Sequence, residues 1–197
     1  MTQLVIVDTA CANLSSVRFA CERLGVEPVL SNDPAVIKAA SHVILPGVGT
    51  AKAAMRNLHQ LGLVETLQQL TQPVLGICLG MQLLGRWSAE GEVECLGVID
   101  MQTERLQVTD LPLPHMGWNT LNISPEHPLL RDIPDSSWVY FVHSYAVPVG
   151  TYTIASCQYQ QPFSAIVQHQ NFYGAQFHPE RSSQIGAQLI QNFLELS

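Results

Sequence analysis

Strand and helix signals alternate over the first half of this chain, and that alternation limits the possible folds more than any other feature. Leu4 to Val7 is a short, mostly β-branched run ending in Asp8. A helical pattern follows, with Val17, Ala20, Cys21 and Leu24 at helical spacing, Asn13 as N-cap and Gly25 as stop. Pro28 to Leu30 reads as a second strand, and Asp33-Pro34 opens another helix with proline at its first position. His42 to Leu45 is a third strand, running into Pro46-Gly47-Val48-Gly49. Two helical stretches, about residues 50 to 59 and 62 to 71, precede a fourth strand, Val74 to Ile77. Gly80 to Arg86 lies on the next helix. Strands joined by helices pair in parallel, so the expected class is α/β, with a mostly parallel central sheet flanked by helices. Sites in such sheets gather at the carboxyl ends of strands. Asp8 to Ala12, Pro46 to Gly49 and Cys78 all fall at such ends.

From about residue 95 the pattern changes. Gly97 to Met101, Leu121 to Ile123, Val139 to Val142, Tyr152 to Cys157, Ala165 to Gln168 and Tyr173 to Phe177 read as further strands, which adds antiparallel strands in the second half. Prolines from Pro112 to Pro148 punctuate them, and a final helix covers about Ser183 to Leu196. The 197 residues suit a single domain over 1–197. Charged residues are only 13%, about half the usual share of roughly 25%. Either a partner covers part of the surface, or a large core sits under a Gln- and Ser-rich exterior. The net charge of −7, without any Lys/Arg cluster, argues against nucleic acid as ligand. No apolar run approaches the roughly 20 residues of a membrane span, and MTQLVIVDTA lacks the features of a signal peptide. Five scattered cysteines without metal-like pairing fit a reducing cytoplasm.

Gly76-Ile77-Cys78-Leu79-Gly80 matches a G-x-nucleophile-x-G elbow with cysteine in place of serine. The alternative is a buried structural thiol, since free cysteine packs well. A reactive thiol needs a base, and Gln176-Phe177-His178-Pro179-Glu180 offers His178, with Glu180 to orient it. Attack on a carbonyl makes an oxyanion that needs N–H donors. Pro46-Gly47-Val48-Gly49 and the amide of Leu79 are candidates, and an ordinary turn is the alternative for the former.

Together, Pro-Gly-Val-Gly, Gly-Ile-Cys-Leu-Gly-Met-Gln and Phe-His-Pro-Glu, in this order, resemble the class I (triad-type) glutamine amidotransferases. Pro114-His115-Met116-Gly117-Trp118-Asn119, Tyr140-Phe141-Val142-His143-Ser144-Tyr145 and His178-Pro179-Glu180-Arg181-Ser182-Ser183 are similar to the glutaminase subunits of imidazole glycerol phosphate synthases, over essentially the whole chain. The resemblance implies hydrolysis of L-glutamine to glutamate and ammonia. A separate (β/α)8-barrel cyclase subunit, forming a heterodimer, would use the ammonia to make imidazole glycerol phosphate and aminoimidazole carboxamide ribotide in histidine biosynthesis. It implies Cys78 as nucleophile, His178 as base and acid, and Glu180 as its partner. It further implies Gly49 and Leu79 around the oxyanion, and Gln82, Ser144 and Tyr145 around the substrate. The partner would meet Asn13, Met116, Trp118, Asn119, Tyr140 and Arg181. No metal or organic cofactor is implied.

One departure is visible. The family's loop after the first strand is often of Gly-x-Gly-Asn type, whereas this chain reads Thr9-Ala10-Cys11-Ala12-Asn13. Cys11 is expected to be a small packing residue. Trp118 could be a core aromatic or a docking residue, and His143 is expected to be structural or interfacial. A stand-alone thiol hydrolase and a catalytically silent scaffold for the cyclase are the competing functions. The first is opposed by the Pro-His-Met-Gly-Trp-Asn segment, the second by the presence of Cys78, His178 and Glu180 together.

Overall fold

The structure, a computed structural model, describes residues 3–9, 14–123 and 126–197. The strands in chain order are β1 (Leu4–Val7), β2 (Val29–Ser31), β3 (His42–Gly47), β4 (Val74–Cys78), β5 (Trp87–Ser88), β6 (Val93–Glu94) and β7 (Gln102–Arg105). They continue with β8 (His115–Thr120), β9 (Asn122–Ile123), β10 (Trp138–His143), β11 (Tyr145–Ala146), β12 (Thr153–Tyr159), β13 (Gln161–His169) and β14 (Phe172–Ala175). The helices are α1 (Leu14–Arg23), α2 (Pro34–Ala39), α3 (Ala51–Gln60), α4 (Val64–Gln68), α5 (Leu79–Leu83) and α6 (Ser183–Leu194).

Eight of the described strands form the main sheet, in the order β2-β1-β3-β4-β14-β13-β12-β9. The first five are mutually parallel, and β13, β12 and β9 extend them antiparallel. Successive side chains of a strand point to opposite faces. Leu4 and Ile6 therefore join one buried cluster and Val5 and Val7 the other. That is why β1, β3 and β4 read as unbroken apolar runs. Val17, Ala20 and Cys21 of α1 pack with Leu189, Ile190 and Phe193 of α6 on the first face. Ile37, Met55, Leu58, Leu67 and Met81 cover the other. Fully burying one such side chain contributes ~1.5–3 kcal/mol.

Local signals set several boundaries. Asp33 accepts from the Ala35 N–H at 2.8 Å and caps α2, with Pro34 at its first position. Thr50 caps α3 through Ala53 N–H at 3.3 Å. Gly25, at φ +78, follows α1 as expected of a glycine stop.

The second half departs from the sequence expectations at Gly97 to Met101 and in three strands not expected from the sequence, β7, β8 and β11. Gly97 to Met101 forms no strand; β7 begins only at Gln102. Gly97 turns left-handed at φ +68, and Leu96, Gly97 and Ile99 donate to Leu83, Gly85 and Leu84. Ile99 and Met101 are thereby buried beneath α5 and the turn that follows it, instead of in a ladder. The short polar strands β5 and β6, with β7 and β11, make a separate four-stranded sheet. β8 and β10 pair as an antiparallel ribbon, His115 to His143 through Thr120 to Trp138. Among the described residues no helix is long and apolar enough to cross a membrane.

Candidate active site

The backbone strain at the elbow falls on Cys78 itself, at φ 53 and ψ −111, where β4 hands over to α5. The glycines around it serve close packing. A Cβ on Gly80 would lie 1.8 Å from Leu45 O, and one on Gly76 would lie 2.6 Å from Gly80 O. A Cβ on Gly47 would lie 2.8 Å from Gly80 N. The elbow is therefore seated directly on β3 and β4, and α5 starts with Leu79, whose N–H belongs to the first turn and has no intrahelical partner.

Strand order brings the second constellation to it. β14 lies parallel beside β4 with Ala175 opposite Ile77, and β3 lies on the other side with Gly47 opposite Cys78. The chain leaving β14 carries Gln176 and His178 to the same end of the sheet as Cys78. Gln176 is fully buried and donates its side-chain N–H to Cys78 Sγ at 3.7 Å. His178 Nδ1 lies 2.8 Å from Glu180 Oε1, both side chains being buried. Ser182 locks this turn: its hydroxyl donates to His178 O at 2.7 Å and accepts from Tyr140 N–H at 2.9 Å. His178 N–H donates to Tyr140 O at 2.9 Å. Gly186 lets α6 approach, since a Cβ there would sit 1.8 Å from Pro179 O.

The charge balance follows from this packing. Burial disfavours the His178 imidazolium, but hydrogen bonds to Cys78 and Glu180 and their charges outweigh it and raise the group to about 10. Burial also raises Glu90, against a 3.1 Å hydrogen bond to Glu90 Oε2 from the Ala51 N–H.

A cavity of about 310 Å³ opens over the elbow. Cys78, His178, Glu180, Gly49, Leu79, Gln82, Ser144 and Tyr145 all line it. Gly49 takes the left-handed φ of +90 there. Gln82 is buried, with its amide nitrogen donating to Tyr145 O and Gln176 Oε1, both at 2.9 Å. Glu90 and His143 line the same cavity. Sequence reasoning missed Glu90 and assigned nothing to Gln176. Glu90 carried no motif signal; Gln176 stood within the His-Pro-Glu segment, two residues before the histidine. Among the described residues no group of three or more His, Cys, Asp or Glu is placed to hold a metal ion.

The family model described as "Glutamine amidotransferase class-I" matches residues 6–196. The imidazole glycerol phosphate synthase subunit HisH of Vibrio cholerae serotype O1 is 58% identical, over 100% of both chains. Its counterpart from Idiomarina loihiensis is 59% identical, over 98% of both. This chain belongs to the HisH family of class I glutamine amidotransferases. The fold recurs at lower identity. A putative GMP synthase protein from Thermoplasma acidophilum superposes with a TM-score of 0.76 at 18% identity, over 98% of this chain and 92% of that one. A second structure, titled glutamine amidotransferase, gives 0.75 at 18% identity over 97% of both.

The residues expected to face a partner of this HisH-family chain are placed as follows. Met116 and Trp118 stand out from β8 at 62% and 50% exposure, so Trp118 is not a core residue. Trp118 meets Tyr140 across the ribbon edge-to-face, and Trp138, unassigned from sequence, is 59% exposed beside them. Arg181 is exposed at the cavity rim. Asn119 is turned inward: it donates to Gln158 O at 2.9 Å and accepts from Thr120 N–H at 2.8 Å. Asn13, and with it Cys11 and the Ala10–Ala12 departure, lies outside the described residues.

Proposed function

We propose that this chain, acting as one amidotransferase domain over residues 1–197 in the cytoplasm, hydrolyses L-glutamine through Cys78, His178 and Glu180. The reading rests on one observation above all: Cys78 ends β4, and the Gln176–Glu180 segment leaves the parallel neighbour β14. Cys78 Sγ, its proton passed to His178, attacks the side-chain carbonyl carbon of glutamine. The carbonyl electrons move onto oxygen, where the N–H groups of Leu79 and Gly49 receive the oxyanion. His178 delivers its proton to the amide nitrogen, the C–N bond breaks and ammonia leaves. A thioester remains on Cys78. Water, deprotonated by His178, adds to it and glutamate departs with the sulfur restored. Glu180 holds the imidazole and balances its charge at each stage.

In the same cavity the half-buried carboxylate of Glu90 suits the α-ammonium of the amino acid. The Gln82 carboxamide, Ser144 and Tyr145 line it with Glu90 and help to hold the substrate. The face made by exposed Met116, Trp118 and Trp138 with half-buried Tyr140 receives a (β/α)8-barrel cyclase subunit in a heterodimer. The partner consumes the ammonia to make imidazole glycerol phosphate and aminoimidazole carboxamide ribotide in histidine biosynthesis. The test is Cys78→Ala in the complex. Glutamine-driven synthesis is expected to vanish while ammonium-driven synthesis survives; continued use of glutamine would overturn the assignment.

A further inference from the structure

A buried chain of side-chain hydrogen bonds runs beside the cavity and takes in two histidines that the chemistry above leaves idle. It begins on β8, the strand that bears Met116 and Trp118. Asn119 Nδ2 lies 3.3 Å from His115 Nε2, and His115 Nδ1 lies 3.0 Å from His143 Nε2. His143 Nδ1 lies 2.9 Å from Tyr145 O, the carbonyl that also accepts from Gln82. Gln82 holds Gln176 Oε1, and Gln176 Nε2 reaches Cys78 Sγ.

The proton positions are fixed by this chain, because each end admits one direction. Asn119 accepts Thr120 N–H on its oxygen, so its nitrogen is the donor towards His115 Nε2. His115 then carries its proton on Nδ1 and donates to His143 Nε2. His143 in turn carries its proton on Nδ1 and donates to Tyr145 O. Both rings are packed in place: His115 stacks on Tyr159 at 4.0 Å and on Phe141 at 4.9 Å, and His143 meets Phe163 edge-on at 4.9 Å. Burial keeps both neutral, lowering His115 to about 4 and His143 to about 3.

We propose that His115 and His143 are positioning residues for the nucleophile: through the Tyr145 carbonyl, Gln82 and Gln176 they set the hydrogen bond that Cys78 sulfur receives. The proposal rests on Cys78 being the reactive thiol of the proposed function. A ring pair that merely filled space beneath the β8–β10 ribbon would need no such ordered donors, and a phenylalanine would serve as well.

The experiment compares His143→Phe, which keeps the ring and removes both hydrogen bonds, with His143→Asn, whose amide nitrogen can replace Nδ1 as donor to Tyr145 O. Two rates are read on folded protein: Cys78 alkylation by iodoacetamide, located by peptide mass, and glutamine turnover in the cyclase complex. In His143→Phe the buried His115 Nδ1–H loses its acceptor and Tyr145 O keeps only Gln82, and one buried polar group left unpaired corresponds to a change of roughly 5- to 100-fold. His143→Phe is expected to change the alkylation rate and lower kcat in that range, and His143→Asn to recover most of both. Wild-type rates in a folded His143→Phe chain, or no recovery in a folded His143→Asn chain, would overturn the proposal. The functional reading fails by a different sign, glutamine hydrolysis that survives Cys78→Ala. The iodoacetamide rate reads the hydrogen-bond chain whichever substrate the thiol serves.

Discussion

Replacing Cys78 by glycine should make the chain more stable than replacing it by alanine, the reverse of the usual order. Cys78 holds φ 53 with ψ −111, a conformation that L-residues rarely adopt. Such a residue stores about 1–3 kcal/mol of strain. Alanine keeps the Cβ and therefore the strain; glycine releases it. Against that release stands the larger entropy of glycine in the unfolded chain, about 0.4–1 kcal/mol. The difference leaves Cys78→Gly ahead of Cys78→Ala by about 0.5–2 kcal/mol. For a domain of this size that is about 1–8 °C in Tm. Both variants lack the sulfur, so the lost thiol contacts cancel in the comparison. The assay is urea unfolding of both chains at one pH, with Ala175→Gly as control. Ala175 lies on the neighbouring strand without a positive φ, so glycine there should cost about 0.5–1 kcal/mol. A Cys78→Gly chain less stable than Cys78→Ala would show that the elbow is not strained and that β4 ends in an ordinary turn.

The two glycines beside the elbow should respond to alanine for different reasons. In Gly47→Ala the new Cβ meets Gly80 N at 2.8 Å and Leu79 Cβ at 2.9 Å, so stability should fall by about 1–3 kcal/mol together with glutamine turnover. In Gly49→Ala nothing lies within 4 Å of the Cβ, but φ is +90, so backbone strain alone should lower stability by about 1–3 kcal/mol; in the folded chain glutamine turnover should drop about 10²–10³-fold while ammonium-driven synthesis persists. Full glutaminase activity in Gly49→Ala would remove Gly49 from the oxyanion site. Trp118→Ala, at a half-exposed position, should weaken cyclase binding by about 2 kcal/mol or more and leave the Tm of the isolated chain nearly unchanged, and a large fall in Tm with unaltered affinity would refute that. Acid should destabilise the chain through His115 and His143. Their neutral forms, held at about 4 and about 3 against 6.5 when unfolded, contribute fully above pH 6.5, and that contribution is lost as pH falls towards those values. His178, raised to about 10 against the pull of burial, has the opposite sign: its contribution is full below pH 6.5 and is lost progressively as pH rises from there through about 10. A urea midpoint that does not fall between pH 7 and pH 5 in wild type, or that falls equally with both histidines replaced by phenylalanine, would contradict this.

What the sequence determined by itself was whatever residues a few positions apart can specify. β1, β3 and β4 were legible because parallel strands buried on both faces must be apolar throughout, and α2 was legible from Asp33-Pro34. Cys78, His178 and Glu180 were singled out because a thiol between glycines and a His-Pro-Glu turn are local patterns. The strands β5, β6, β8 and β11 were not legible. They are short or polar, and it is pairing with distant partners that makes them strands. Gly97 to Met101 failed for the converse reason: apolar residues went to a core position through turns instead of a ladder. Only the tertiary structure could decide that β14 returns to lie beside β4 and so puts Gln176 against a sulfur 98 positions earlier in the chain. It alone could bring Glu90 to the cavity, and align Asn119, His115 and His143 towards Tyr145. A pattern in sequence fixes which face of an element is buried. Which elements become neighbours depends on the long-range packing of those faces, and the polar groups that meet between them carry no mark of it in their own surroundings.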